Sequence, residues 1–308
     1  MAQLETKFCG LRLKNPVIAA SGTFGYGLEF KTIIDLAALG GFVVKGLSRE
    51  PIAGNPPPRV VETASGMLNS IGLQNVGVRA FVAEKLPELA RLDTAVFANV
   101  FGYQPEDYVE VIRVLEDHEG LAGYELNVSC PNTKHGGMQF ASDAGLLAEV
   151  VGMSKKAAAR RPLIVKLSPN VTDIALLARA AEEAGADAIS LVNTFVALSV
   201  DARTRKPRVG AGLAGLSGPA IKPIALRMVY QVAKAVKVPV IGIGGIATGE
   251  DVAEFMICGA SAVEVGTATF WDPRRPQKLV SEFNRFLDRA GVASAASLIG
   301  TLRIGEVG

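Results

Sequence analysis

The chain has 308 residues, 49% of them hydrophobic and 20% charged, and its 32 Lys+Arg against 30 Asp+Glu leave a formal charge of +2. That balance excludes a disordered or collagen-like polypeptide and offers no basic footprint for nucleic acid, while the length suits one large α/β barrel or two ordinary domains. Its three cysteines are too few and too scattered for a disulfide framework or a CxxC metal pair, so a reducing compartment, the cytoplasm, is expected.

The opening Met-Ala-Gln-Leu-Glu-Thr-Lys lacks the basic, apolar and small-residue order of a signal peptide, and no run reaches the ~18 apolar residues of a membrane span. Short β-branched runs that finish in a polar residue or glycine then recur along the chain. They are 16–21 (PVIAAS), 42–46 (FVVKG), 95–100 (AVFANV), 124–129 (YELNVS), 163–168 (LIVKLS), 188–194 (AISLVNT), 238–244 (VPVIGIG) and 262–267 (AVEVGT). Near-continuous apolar runs of this length mark strands buried on both faces, as in parallel sheets.

Helical patterns lie between them. Across 172–185, Ile174, Leu177, Ala178 and Ala181 share one face, Glu182 and Glu183 the other, and Gly185 is a stop signal. Thr248 can cap a helix carrying Asp251, Val252, Phe255 and Met256, which Gly259 ends. Strands alternating with helices over this length predict a closed (β/α)8 TIM barrel, one domain over 1–308 with an N-terminal β-hairpin, and a doubly wound open sheet is the rival. Cys9 is expected in an N-terminal strand and Cys258 on an apolar helix face, both as small buried hydrophobes. Two segments are too long for plain connections: 48–78, rich in Pro and Gly with a short helix starting near Asn75, and 199–219, a basic hairpin-like run followed by GAGLAGLSG. In a barrel both would extend over the C-terminal mouth, where active sites sit.

Gly244-Gly245 and Gly266-Thr267 end the last two strands, the place where barrels commonly bind a phosphate with bared backbone N–H groups. The alternative is that these glycines only make tight turns. Lys45, Asn99, Asn127, Lys166 and Asn193 end the second to sixth strands and would converge on one mouth. A single lysine of this kind is more often a structural salt bridge; five polar ends together suit a planar, polar, partly anionic ligand. Cys130, in the loop after the fourth strand, has a thiol able to remove a proton if its surroundings favour the thiolate, or it is structural. His118 and His135 are the only histidines, which disfavours His-rich metal sites, and His135 carries no assignment.

NSIGLQN (69–75), NVSCPN (127–132), VKLSPN (165–170), VNT (192–194) and the paired glycines resemble the cytosolic class 1 dihydroorotate dehydrogenases over nearly the whole chain. ASGTFGYG (20–27) and the length are most similar to the catalytic subunit of the NAD-linked type B branch. The resemblance implies oxidation of (S)-dihydroorotate to orotate in pyrimidine (UMP) biosynthesis, with hydride transfer to FMN. It implies Cys130 as general base, and Lys45, Asn69, Ser70, Ile71, Gly72, Leu73, Asn127, Asn132, Asn193 and Thr194 around the substrate. For FMN it implies Ser21, Lys45, Gly46, Asn99, Asn127, Lys166, Val192 and Gly218, with Gly244, Gly245, Gly266 and Thr267 at the phosphate and Lys166 at the pyrimidine edge of the ring.

Class 2 relatives use serine as base and carry an N-terminal membrane-associated extension. Here the base position is Cys130 and the chain starts close to its first strand, so direct reaction with a membrane quinone is not expected. With three cysteines, one of them the base, a [2Fe–2S] centre lacks its four thiolates, and no GxGxxG follows the first strand. If NAD+ is the acceptor, FAD and [2Fe–2S] belong to an electron-transfer partner, in a heterotetramer of two catalytic and two electron-transfer chains around a homodimer core. The alternatives are a fumarate-linked type A enzyme, a Schiff-base aldolase using Lys45 or Lys166, and a non-catalytic flavin-holding relay.

Overall fold

A computed structural model describes residues 2–128 and 137–305 of the chain. Eight strands form a closed barrel: β1 (Val17–Ala19), β2 (Gly41–Val43), β3 (Ala95–Val100), β4 (Gly123–Asn127), β5 (Leu163–Lys166), β6 (Ala188–Leu191), β7 (Val240–Ile243) and β8 (Ala262–Val265). Every pairing is parallel and follows chain order, with β8 returning to β1. Closure rules out the doubly wound open sheet. Each strand core coincides with one of the apolar runs, because a side chain on either face of a barrel strand is buried.

Helices α1 (Val78–Glu84), α2 (Pro105–Glu116), α3 (Ala144–Ala157), α4 (Ile174–Glu183), α5 (Lys222–Ala235), α6 (Gly249–Ile257) and α7 (Arg275–Ala290) wrap the outside. In α4 the buried residues are Ile174, Leu177, Ala178 and Ala181, the face expected from spacing; Asp173 caps its start by accepting from Leu176 N at 3.1 Å. Gly185 follows in a left-handed conformation, φ 104°. Thr248 and Asp251 form a reciprocal capping box on α6, with Asp251 N to Thr248 Oγ1 at 3.2 Å and Thr248 N to Asp251 Oδ2 at 2.8 Å. Before α1, Asn75 Oδ1 accepts from Gly77 N at 2.8 Å, so the helix begins at Val78 and Asn75 shapes the turn leading to it.

Alternation inside the barrel stacks its filling in layers. Phe8 and Leu13, from the antiparallel hairpin Thr6–Phe8 and Leu11–Leu13, plug the N-terminal end against Ile18, Val43, Phe97, Ile164, Ala188, Ile241 and Ala262. The next inward positions toward the mouth are Asn99, Glu125, Lys166, Ser190 and Glu264, all buried. The barrel interior therefore changes from apolar to polar below its C-terminal end. Cys9 differs from expectation: it occupies the turn of the hairpin at φ 48°, half-buried, with its thiol on Asp187 O at 3.1 Å. Cys258 lies one residue past α6 as its C-cap, also half-buried.

The two long segments meet over the mouth. Val60–Thr63, Gly66–Asn69, Ala214–Ser217 and Phe195–Ala197 pair as one antiparallel sheet, a roof whose inner residues Leu68, Val209 and Ala214 form a small separate core. A hairpin of Val200–Asp201 with Lys206–Pro207 projects from it. No helix of the described residues is long and apolar enough to cross a membrane.

Candidate active site

Between roof and barrel lies a cavity of about 210 Å³. The strand-end residues Lys45, Asn99, Asn127, Lys166 and Asn193 all line it, as do Ser21, Gly46, Val192, Thr194 and Gly218. The roof contributes Asn69, Ile71, Gly72 and Leu73; the ends of β7 and β8 contribute Gly244, Gly245, Gly266 and Thr267. Ser70 does not line the cavity. Fully buried one residue past the roof strand, it accepts from Asn55 Nδ2 at 2.9 Å on its hydroxyl, while its N–H donates to Arg59 O at 2.8 Å, and these bonds turn it away. Cys130 and Asn132 lie outside the described residues.

The amides are preset by their neighbours. Asn193 Nδ2 donates to Asn127 Oδ1 at 3.2 Å, and Asn193 Oδ1 accepts from Thr194 N at 2.9 Å. Tyr108 holds the carbonyl of Asn127 at 3.0 Å, and Asn69 Nδ2 donates to Gly215 O at 3.3 Å. Ser21 donates to Val44 O at 2.8 Å between two barrel strand ends, and Thr267 donates to Ser217 Oγ at 2.7 Å, tying barrel to roof. Such side chains offer donors and acceptors in fixed directions to a ring of amides and carbonyls.

The two lysines differ in kind. The Lys45 ammonium has no hydrogen-bonding or acidic partner among the described residues, and burial, followed by the Arg59 charge, lowers its pKa below the ordinary lysine value. Lys166 is enclosed by acids: Glu264 Oε2 at 2.9 Å and Glu125 Oε1 at 3.3 Å. Burial opposes its charge, but Glu125 and then Glu264 outweigh that and raise its pKa. A Schiff-base nucleophile must be a neutral amine, so this setting disfavours Lys166 in that role. Glu125 also accepts from Asn99 Nδ2 at 2.7 Å and Ser190 Oγ at 2.9 Å. Sequence reasoning missed Glu125, Glu264 and Ser190; the available signal was a glutamate inside each of two otherwise apolar runs, YELNVS and AVEVGT. It also missed Phe270 and Trp271, which line the cavity yet stay 56% and 52% exposed.

At the ends of β7 and β8 the backbone N–H groups of Gly245, Ile246, Gly266 and Thr267 make no hydrogen bond among the described residues. Gly245 is required by the protein itself, at φ 76° with Lys222 Cβ only 2.8 Å from where a Cβ would stand. Gly266 is not: a Cβ there would meet nothing closer than 3.6 Å. Bare N–H groups beside unfilled space suit an oxyanion.

The dihydroorotate dehydrogenase family model matches residues 3–287. A protein of Solibacter usitatus provisionally named dihydroorotate dehydrogenase A (fumarate) is 71% identical over 301 residues, 98% of this chain and 99% of the relative. Proteins of Pelobacter propionicus and Citrifermentans bemidjiense, each named dihydroorotate dehydrogenase B (NAD+), catalytic subunit, are 52% and 53% identical over 97% and 98% of this chain and 98% of each relative.

Proposed function

Since this chain belongs to the dihydroorotate dehydrogenase family, a family of FMN-dependent oxidoreductases, we propose that it oxidises (S)-dihydroorotate to orotate in pyrimidine (UMP) biosynthesis on the cavity beneath the roof. The observation that carries this assignment is Lys45, an ammonium lining the cavity with no acid partner among the described residues. Burying such a charge is costly unless a polar or anionic ligand meets it, and the substrate's carboxylate and the flavin's pyrimidine edge are such groups.

When bound, FMN supplies the ring that accepts the hydride. Supporting FMN are the bare N–H groups of Gly245, Ile246, Gly266 and Thr267 for its phosphate, and Ser21, Gly46, Asn99, Lys166, Val192 and Gly218 along its ring and ribityl chain. Asn69, Asn127 and Asn193 match the amide edges of the substrate ring, with Lys45, Ile71, Gly72, Leu73 and Thr194 around it and Asn132 as a further contact. Cys130 removes the proton from the carbon beside the ring carbonyl, and the roof keeps water from the reacting atoms.

For the acceptor we favour NAD+, since relatives near 50% identity are named NAD+-linked catalytic subunits, and we place FAD and [2Fe–2S] on a partner subunit. Three cysteines cannot supply a four-thiolate cluster within this chain, which supports placing it on the partner. A homodimer of this chain would form the core of that assembly, in the cytoplasm. The 71% identity to the fumarate-named relative favours a second reading, a fumarate-linked type A enzyme. Anaerobic dihydroorotate should bleach the flavin of the purified protein; no bleaching would remove the dehydrogenase assignment. Turnover with NAD+ only when an iron–sulfur flavoprotein is co-expressed supports type B, and turnover of the lone chain with fumarate supports type A.

A further inference from the structure

Beneath the cavity floor, Lys166 of β5 faces Glu125 of β4 and Glu264 of β8, so one ammonium meets two carboxyl groups that are 0% and 1% exposed. The two acids are not equivalent. Glu125 receives Lys166, Asn99 and Ser190, whereas Glu264 receives Lys166 on Oε2 and its buried Oε1 has no donor. The two carboxyls share one ammonium, so both sit around Lys166 in the same layer of the barrel interior. An ionised carboxylate can only accept, so with both acids ionised Glu264 Oε1 would stay without a donor beside a second negative charge, in a space closed to water. A proton on Glu264 turns its idle oxygen into a donor and removes one of the two negative charges. The strands paired with β8 at Glu264 present only Ile18 and Ile243, leaving Glu125 and Lys166 as the charged groups it faces.

We propose that Glu264 is a positioning residue that carries a proton at neutral pH. Lys166 then balances one carboxylate instead of two. The floor is neutral as a whole, with its positive end lining the cavity and its acids below. An ionised Glu264 would make the floor negative and oppose the charge that arrives with the hydride. This deepens the function proposed above and rests on the flavin lying over Lys166.

The direct test is infrared spectroscopy of the holoprotein labelled with carboxyl-13C glutamate, in H2O and D2O at neutral pH and without substrate. A deuterium-sensitive carboxylic-acid stretch is expected, lost in Glu264→Gln. It should also vanish in Glu125→Gln, because the remaining acid then ionises against Lys166. No acid stretch in the wild type, or one that survives either substitution, overturns the proposal; the wild-type measurement needs no variant to fold. As a second readout, the ratio of affinities for reduced and oxidised FMN should change less than about threefold in Glu264→Gln, which replaces one neutral group with another. Removal of a full negative charge would instead favour the reduced form by about tenfold or more and overturn the proposal. The stretch is read without turnover, so failure to oxidise dihydroorotate would sink the proposed function while leaving this test intact.

Discussion

Replacing Gly266 with alanine separates what the fold requires from what a ligand requires. The added Cβ would lie 3.6 Å from Ala20 Cβ and Thr23 Cγ2, ordinary van der Waals contact, and the backbone there is not left-handed. The substitution restricts the unfolded chain, so the apoprotein should be stabilised by about 0.4–1 kcal/mol. That corresponds to a rise in Tm of about 1–3 °C. FMN affinity should move the other way. A methyl group that holds a phosphate off the Gly266 and Thr267 N–H groups forfeits at least one hydrogen bond to a charged partner, about 1.5–3 kcal/mol. The loss is about 10- to 150-fold in Kd. Gly245→Ala is the contrast: at φ 76°, with Lys222 Cβ and Gly218 O at 2.8 and 2.9 Å from the new atom, it strains the apoprotein, so stability and affinity fall together. Thermal melts of apoprotein and fluorescence titration with FMN read both quantities. A Gly266→Ala protein that melts like the wild type and binds FMN equally well would refute a phosphate at this position.

Cys130→Ala should keep bound FMN but slow anaerobic bleaching by dihydroorotate by about 10²–10⁴-fold, the usual worth of a positioned base; an unchanged rate would exclude the thiol. Lys45→Met should slow the same bleaching and also alter stability with pH. Burial and the Arg59 charge lower the folded-state pKa of Lys45, so its ammonium destabilises the apoprotein at neutral pH, and the penalty fades as pH rises through that value toward the unfolded ~10.4. The methionine apoprotein should therefore melt higher than wild type near pH ~7, with the gap closing toward pH ~10. Thr248→Ala breaks the capping box of α6 and should cost about 1 kcal/mol in urea unfolding without affecting FMN affinity.

The barrel was legible because a strand buried on both faces needs nearly every residue apolar, and runs such as AVFANV and LIVKLS have that composition. The cavity was legible for a related reason: Lys45, Asn127 and Asn193 are polar where such a run ends, so each must face the mouth. The same logic hid Glu125 and Glu264. In a doubly buried strand, composition does not distinguish inside from outside, and only closure of the barrel shows that these glutamates and Lys166 share one layer. The roof was hidden because its strands are short and find partners far along the chain; Gly66–Asn69 looks like loop until Ala214–Ser217 lies beside it. Cys9 was misplaced by one element: Cys9 and Gly10 both take positive φ, and the hairpin turns there. Its thiol, pushed up to about 12 by burial and then by Asp187, is not a rival nucleophile.

The canopy imposes an order of assembly. Asn69 and Gly215 are joined across 146 residues, and β3 to β6, half of the ring, lie between them. The loop entropy of that union falls once those four strands have paired. The chamber is thus expected to mature after that half of the ring, and until then the chain has no lid with which to hold a cofactor.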